Sequence, residues 1–202
     1  MEAIAVIDFE TTGLSPACGS RATEIAAVIW QNGRIVDRYQ SLMNAGVAIP
    51  ADITRLTGIT NAMVRNAPPA SAVMREVADF VGNRPMVAHN ASFDRKFWES
   101  ELARIGAQST SPFACTLLLA RRLLPDAPDH KLSTLTRCAR LPATGQAHRA
   151  LADAEMAANL LGHLLGVLSD KHGVTPSFSL ISMLQRVPAA KIGDALRRAR
   201  SA

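Results

Sequence analysis

Apolar residues in the first half of the chain form short runs that are typical of β-strands. The predicted strands cover residues 3–7, 24–30, 34–43, 86–88 and 113–115. Asn32 and Gly33 separate the second run from the third, and this pair favours a tight hairpin because both residues tolerate a positive φ. The chain therefore begins with strands that are neighbours in sequence.

Further along the chain, apolar residues recur three and four positions apart, which predicts amphipathic helices. The predicted helices cover residues 52–56, 61–66, 71–81, 92–105, 116–124, 131–138 and 150–168. Ser92 is the expected N-cap of the fourth of these helices. The order of strands and helices predicts an α/β fold with helices flanking a sheet.

The positive charge of the chain is concentrated after residue 169. Residues 170–202 hold six Lys or Arg against two Asp, a net of +4, so +1 of the formal +5 belongs to the first 169 residues. We therefore divide the chain into a domain of residues 1–169 and a basic, helical C-terminal extension of residues 170–202. The extension either adds salt-sensitive affinity for nucleic acid or forms an apolar packing or dimer surface. The apolar residues concerned are Leu180, Ile181, Leu184, Ile192 and Leu196.

The composition indicates one folded domain inside the cell. The 202 residues suit a single main core, and 48% hydrophobic with 19% charged residues argues against a disordered chain. No apolar run approaches the length of a membrane span and no secretory leader is visible, so we predict a cytoplasmic protein with no membrane partner. Cys18, Cys115 and Cys138 form no Cys-x-x-Cys pair and are interpreted as reduced thiols.

Two acids stand close together at the end of the first predicted strand. Asp8 and Glu10 are two positions apart, so both side chains point to the same face of an extended strand. Two carboxylates at the end of a buried strand repel each other unless a cation or a proton neutralises them. A solvated strand end with alternating acids explains the pattern equally well, and this pair alone does not decide between the two.

A third acid follows the end of another predicted strand. With Ser92 as the N-cap, Asp94 lies in the first helical turn, where the helix dipole favours a carboxylate. If the first and fourth predicted strands are parallel, Asn90 and Asp94 leave the same edge of the sheet as Asp8. Open α/β sheets bind their ligands at that edge.

Asp153 and His148 lie near the start of the long predicted helix. An offset of five positions on a regular helix places two side chains about 140° apart. His148 must therefore precede the regular helix to reach the same site as Asp153. Taken alone, a histidine near a helix start is more often a surface residue than a functional one.

Taken together, the acids and the histidine resemble the motifs of the DEDD exonucleases, in the DnaQ-like branch that carries a histidine. This branch includes the epsilon subunit of bacterial DNA polymerase III, exodeoxyribonuclease X and RNase T. The matching segments are Asp8-Phe9-Glu10-Thr11-Thr12-Gly13-Leu14, His89-Asn90-Ala91-Ser92-Phe93-Asp94 and His148-Arg149-Ala150-Leu151-Ala152-Asp153-Ala154. They occur in the family's order, and the resemblance covers residues 1–168. Thr57 departs from the pattern, because many members have histidine there in a loop that borders the substrate.

The resemblance implies an RNase H-like fold, in which a five-stranded mixed sheet flanked by helices gathers the acids at its centre. It also implies two divalent cations, Mg²⁺ or Mn²⁺, which prefer oxygen ligands. Asp8 would bridge both ions, and Asp94 would support the second. Glu10 and Asp153 would complete the ligands of the first ion. His148 would act as the general base that takes a proton from the attacking water.

The resemblance further implies a place for the end of the substrate strand. Thr11, Thr12 and Gly13 would offer backbone donors and a close approach to the terminal nucleotide. Leu14 would pack against the base of that nucleotide. Asn90 would contact the phosphate or, as an equal alternative, act as a turn residue that caps the next helix.

The implied activity is 3′–5′ exonuclease cleavage of DNA, with nucleoside 5′-monophosphates as products and a free 3′ end, preferably single-stranded, as the substrate. An exoribonuclease acting on short RNA or tRNA ends is the alternative enzyme, since the same carboxylates serve both reactions. A non-catalytic nucleic-acid-binding module is a third interpretation, and it predicts a missing ligand. None of the four acids is missing. A homodimer and a replication partner stay open.

Overall fold

A five-stranded mixed sheet forms the centre of the computed structural model, which describes residues 2–142, 144–145 and 148–200. The strands are β1 (Ile4–Thr11), β2 (Ala22–Gln31), β3 (Arg34–Leu42), β4 (Met86–Ala88) and β5 (Phe113–Cys115). Their order is β3-β2-β1-β4-β5. The pairs β1–β2 and β2–β3 are antiparallel, whereas β1–β4 and β4–β5 are parallel. The predicted mixed sheet is confirmed.

Helices cover both faces of this sheet. The described helices are α1 (Ala51–Thr57), α2 (Asn61–Arg65), α3 (Ala70–Val81), α4 (Ala91–Arg104), α5 (Thr116–Leu123), α6 (Leu132–Cys138), α7 (Ala150–His172), α8 (Phe178–Leu184) and α9 (Ile192–Arg200). One core cluster joins a face of the sheet to α5 through α9, and a second joins the other face to α3 and α4. The sheet is thus buried between two helical layers.

The alternation of side chains along β1 decides which layer each residue meets. Ile4 and Val6 belong to the core beneath α7, whereas Ile7 belongs to the core beneath α3 and α4. By the same alternation, Asp8 and Glu10 project toward α7. The strand continues past the predicted end at residue 7, so both acids lie within β1 and not after it.

Two local predictions have opposite outcomes. The hairpin between β2 and β3 is confirmed, with φ of 50° at Asn32 and 83° at Gly33. The N-cap prediction at Ser92 is wrong, because α4 begins at Ala91 and follows Asn90, whose backbone is left-handed (φ 69°, ψ 45°). The left-handed residue turns the chain sharply enough after β4 for the helix to start before Ser92.

The helix α7 continues to His172, four residues beyond the predicted end at residue 168. Among the described helices, it is the one whose length and composition would suffice to cross a membrane, which corrects the statement that no run approaches such a length. Its contacts identify it as a core helix, since it packs against β1, β2 and β3 on one side and α5 and α6 on others. Its Ala and Leu residues therefore serve close packing.

The C-terminal extension packs onto the same core as α7. The predicted division between residues 169 and 170 falls inside α7, and Phe178, Ile181, Leu184 and Leu196 are all part of the α7 core cluster. The extension also covers the outer edge of the sheet. The backbone N–H of Cys115 donates to Gln185 Oε1 at 2.7 Å, and Gln185 Nε2 donates to the Phe113 carbonyl at 3.4 Å.

We therefore expect truncation after Leu168 to destabilise the protein, since it exposes core residues and an unpaired strand edge. Loss of several buried Leu, Ile and Phe side chains, each contributing about 1.5 to 3 kcal/mol, lowers Tm by about 10 °C or more. Thermal denaturation checks this, with Arg198→Gln as the control that removes an exposed charge of α9 and no packing. A truncated protein with an unchanged Tm and weaker low-salt binding to DNA would instead support the nucleic-acid interpretation.

Candidate active site

The structure brings the five predicted site residues to one region of the sheet. Asp8 and Glu10 project from β1, and Asp94 lies in the first turn of α4. Asp153 lies in the first turn of α7, and His148 precedes that helix by two residues. A ligand atom of Glu10, one of His148 and one of Asp153 all lie within 4.8 Å of one another. The charges of Glu10, Asp94 and Asp153 act directly on Asp8.

Asp94 is held against the backbone of β1. Its side chain is buried, and its Oδ1 accepts a hydrogen bond from the Phe9 backbone N at 3.2 Å. Burial raises the pKa of Asp94 to about 7, although the Phe9 hydrogen bond opposes the rise. The parallel pairing of β1 with β4 makes this contact, because α4 starts where β4 ends.

The four carboxylates resist being charged together. Burial raises the pKa of Asp8 well above 3.8, and the neighbouring charge of Asp94 adds to the rise. Burial raises the pKa of Glu10 to about 8, and the negative charges of Asp153 and Glu24 add to the rise. The pKa of Asp153 is also raised by burial, against the hydrogen bond from the His148 backbone. Such a cluster favours a bound cation, which neutralises the repulsion.

His148 occupies a strained turn at the entrance to α7. Its φ of 59° is left-handed, and its backbone N donates to Asp153 Oδ2 at 3.1 Å. The residue therefore precedes the regular helix, as the five-position offset from Asp153 predicted. Its imidazole is exposed and close to the carboxylates of Glu10 and Asp153.

The loop after β1 differs from its prediction in one respect. The Thr12 backbone N donates to the Arg21 carbonyl at 2.9 Å, and the Arg21 N donates to Thr12 Oγ1 at 3.0 Å. The expected backbone donor at Thr12 is therefore occupied, because it joins this loop to the start of β2. Thr11 Oγ1 donates to the Gly13 carbonyl at 2.7 Å. Leu14 is 81% exposed beside these residues.

The second motif contains one structural histidine and one exposed asparagine. His89 Nδ1 lies 3.0 Å from Thr116 Oγ1, and its Nε2 lies 3.0 Å from the His130 carbonyl. Burial lowers the pKa of His89 to about 4, so the ring is neutral near pH 7. Asn90 precedes α4, and its side chain makes no capping hydrogen bond, so its left-handed backbone forms the turn.

The side chain of Thr57 is turned inward. It is buried, its Oγ1 donates to the Ile53 carbonyl at 3.0 Å, and the same oxygen accepts from the Ile59 N at 3.1 Å. The hydroxyl therefore joins the last turn of α1 to the segment that follows, and the left-handed Gly58 ends the helix. A histidine at this position would need a different arrangement of the loop.

Two ion pairs, each between a buried carboxylate and a partly exposed arginine, were not predicted. Glu101 of α4 is 2% exposed and accepts from Arg21 Nε at 2.8 Å and Nη2 at 2.9 Å, which joins the loop after β1 to α4. Glu24 of β2 pairs with Arg149, the residue after His148. The sequence signal for the second pair was a charged residue, Glu24, at the start of the predicted apolar strand 24–30.

The chain is similar in sequence to known exonucleases over most of its length. The family described as "Exonuclease", of RNase T type, matches residues 5–161. A DNA polymerase III of PolC type from Oceanobacillus iheyensis is 42% identical over 167 residues, which are 82% of this chain and 12% of that protein. The 3′-5′ exonuclease DinG of Bacillus subtilis is 41% identical over 152 residues, 75% of this chain and 16% of that protein. The chain thus spans less than a fifth of these curated relatives.

Solved structures share the fold. Exonuclease X, in complex with 5′ overhanging duplex DNA, is 27% identical with a TM-score of 0.68, and the match covers 96% of this chain and 99% of that one. E. coli Exonuclease I in complex with a dT13 oligonucleotide is 16% identical with a TM-score of 0.73, covering 91% of this chain and 43% of that one. The second likeness concerns the fold alone.

Proposed function

Because this chain belongs to the exonuclease family, we propose that it is a 3′–5′ exonuclease that hydrolyses DNA from the 3′ end and releases nucleoside 5′-monophosphates. The observation that carries the proposal is the convergence of four acids and His148 in one region of the sheet. Relatives named as PolC-type DNA polymerase III and as a 3′-5′ exonuclease, and a structural neighbour in complex with duplex DNA, support DNA as the substrate.

The donor set fits two divalent cations, Mg²⁺ or Mn²⁺. Carboxylate oxygens are the ligands that these hard cations prefer. Burial raises the pKa of both Glu10 and Asp94, and the charges of neighbouring acids add to the rise at Glu10. Asp8 would contribute to both ions, with Glu10 and Asp153 at one and Asp94 at the other. When bound, the cations would neutralise the phosphodiester and stabilise the charge that develops on its oxygens.

The residues of this chain would perform the proton transfer and hold the strand end. The His148 imidazole would accept a proton from the water that attacks the terminal phosphodiester. Thr11 and Gly13 would lie against the terminal nucleotide, with Leu14 against its base. Asn90 would approach the phosphate from the end of β4.

Digestion of a 5′-labelled single-stranded DNA tests the proposal. With Mg²⁺ or Mn²⁺ we expect the strand to shorten progressively from its 3′ end, with nucleoside 5′-monophosphates as the released product, and EDTA to stop the reaction. A matched RNA strand separates the two enzyme classes, since faster RNA digestion would favour an exoribonuclease. Binding without any shortening would favour the non-catalytic interpretation.

Leu14 offers a test of substrate contact that is separate from catalysis. Because its side chain is 81% exposed, Leu14→Ala should leave Tm unchanged. Loss of its contact with a base should raise KM about 10-fold, the equivalent of burying one Leu side chain. Steady-state kinetics on short DNA checks this, with Val36→Ala on β3 as the exposed apolar control. An unchanged KM would remove Leu14 from the substrate site.

A further inference from the structure

Glu24 is a fully buried carboxylate beside the candidate active site. It lies opposite Glu10 in the pairing of β1 with β2, and 0% of its surface is exposed. Its Oε1 accepts from Gln40 Nε2 at 2.7 Å and Arg149 Nη2 at 2.8 Å. Its Oε2 accepts from Arg149 Nε at 3.1 Å and the Ala150 backbone N at 3.1 Å. Both oxygens are therefore used within the protein, which separates Glu24 from the four acids assigned to cations.

The charge of Glu24 depends on Arg149. Burial alone would raise the pKa of Glu24, but the hydrogen bonds from Arg149, Ala150 and Gln40 outweigh burial and lower it from 4.5. Glu24 is thus ionised next to a cluster of acids that resist ionisation. The planar guanidinium suits this place because it binds a carboxylate through two parallel hydrogen bonds.

The same pair holds the turn that carries His148. Arg149 is the N-cap residue of α7, with φ of −126°, and its side chain makes no capping bond to its own helix. Glu24 accepts the N–H of Ala150, one of the amides that lack an intrahelical partner at a helix start. On the other side of the turn, Asp153 accepts the N–H of His148. The turn is therefore fixed from β2 and from α7.

We propose that Glu24 and Arg149 are positioning residues, whose ion pair fixes the start of α7 against β2 and so places the His148 ring and the Asp153 carboxylate beside Glu10. This inference rests on the proposed function, since it concerns the placement of that site's residues. A left-handed backbone is unfavourable for a residue with a side chain, so the turn persists because its surroundings hold it. Without the pair, the turn relaxes and the site loses its alignment.

A second ion pair between the sheet and α7 supplies a matched control. Arg38 Nε of β3 lies 2.5 Å from Glu155 Oε1 of α7, two residues beyond Asp153. The Arg38 side chain is 50% exposed, and exposed ion pairs contribute little to stability. Breaking it removes a contact between the sheet and α7 without touching the contacts that fix the His148 turn.

The test compares Arg149→Met, Arg149→Lys, Glu24→Gln and Arg38→Met with the wild type on 5′-labelled single-stranded DNA. We expect Arg149→Met and Glu24→Gln to lower kcat by about 10- to 100-fold, since a misplacement of about 1 Å has effects of this size. KM should stay within about threefold, because the residues that would contact the terminal nucleotide are unchanged. The Mg²⁺ concentration for half-maximal rate should rise, because Asp153 shifts.

The conservative variant separates positioning from mere stability. Arg149→Lys keeps the positive charge but cannot bind the Glu24 carboxylate through two parallel hydrogen bonds. Its kcat should therefore lie between those of Arg149→Met and the wild type. Arg38→Met should match the wild type in all three measurements. If Arg149→Met does not fold, Arg149→Lys and Glu24→Gln still test the positioning role, since each variant keeps one of the two residues of the ion pair.

An Arg149→Met or Glu24→Gln protein with a lower Tm and an unchanged kcat would overturn the positioning role. So would equal losses in Arg149→Met and Arg38→Met. A wild type that releases no nucleotide would overturn the proposed function itself. An active wild type beside an equally active Arg149→Met overturns the positioning role alone.

Discussion

We expect Asp8→Ala to abolish nucleotide release and to remove most of the rise in Tm that millimolar Mg²⁺ gives the wild type. Asp8 is central to the cluster, because the charges of Asp94, Asp153 and Glu10 all act on it. A ligand that binds the native state stabilises it by about 2.7 kcal/mol at one hundred times its Kd. Activity assays and thermal denaturation with Mg²⁺ or EDTA check both parts of the prediction.

The same cluster makes the cation-free protein sensitive to pH. The pKa values of Glu10 (about 8) and Asp94 (about 7) lie above their ordinary values of 4.5 and 3.8. The folded state therefore binds more protons than the unfolded state between about pH 4 and pH 8, and the free energy of unfolding falls as the pH rises through this window. In EDTA, the Tm of the wild type should fall between pH 5 and pH 8. The Tm of Asp8→Ala should fall by less over the same range.

Asp79→Ala is the control for the Asp8→Ala experiments, since Asp79 is an exposed acid on α3, away from the cluster. It should keep both the activity and the Mg²⁺ effect of the wild type. An Asp8→Ala protein that cleaves DNA at the wild-type rate would overturn the assignment of the active site.

The second large effect is expected at His148. His148→Ala should lower kcat by about 100- to 10,000-fold, the usual contribution of a positioned general base. KM should change little, because the imidazole would act on the attacking water and not on the nucleotide. The wild-type rate should rise with pH, because a general base acts in its unprotonated form, and the variant should lose that rise. Rates measured between pH 5.5 and 9 check the prediction.

The position of His148 also suits a cation ligand, because its ring lies within 4.8 Å of carboxylate oxygens of Glu10 and Asp153. A Mg²⁺ titration separates the two roles. An unchanged half-saturating concentration supports the general base, whereas a large increase supports a ligand. His172→Ala, at the far end of α7, serves as the control histidine. A His148→Ala protein within a few-fold of wild-type activity would exclude both roles.

Most of the candidate site could be predicted because its residues lie in three short segments, each of which resembles a motif of a known family. The spacing of Asp8 and Glu10 on a strand placed both on one face, and the parallel pairing of β1 with β4 brought Asp94 to the same region. The offset between His148 and Asp153 required the histidine to precede the helix, which the left-handed turn fulfils. Periodicity gave these placements, but it left the role of each residue undecided, and the resemblance to the DEDD exonuclease motifs selected them as one site.

The rest depended on contacts between distant segments. Glu24 and Arg149 are 125 positions apart, and only the folded sheet and α7 bring them together. The Thr12 backbone N is occupied by Arg21 across a loop, a pairing that residue types alone do not specify. Ser92 failed as an N-cap because α4 begins at Ala91, directly after the left-handed Asn90, which places Ser92 inside the first turn.

The left-handed turn at His148 also fixes how much the chain length can vary there. One left-handed residue, one extended residue and the first turn of α7 together span the interval from His148 to Asp153. Each residue added to or removed from a helix turns all that follows by about 100°. A single insertion or deletion inside this interval would therefore change the angle between His148 and Asp153, so that the two could no longer both face Glu10. The number of residues between His148 and Asp153 is therefore more tightly constrained than the types of the residues between them.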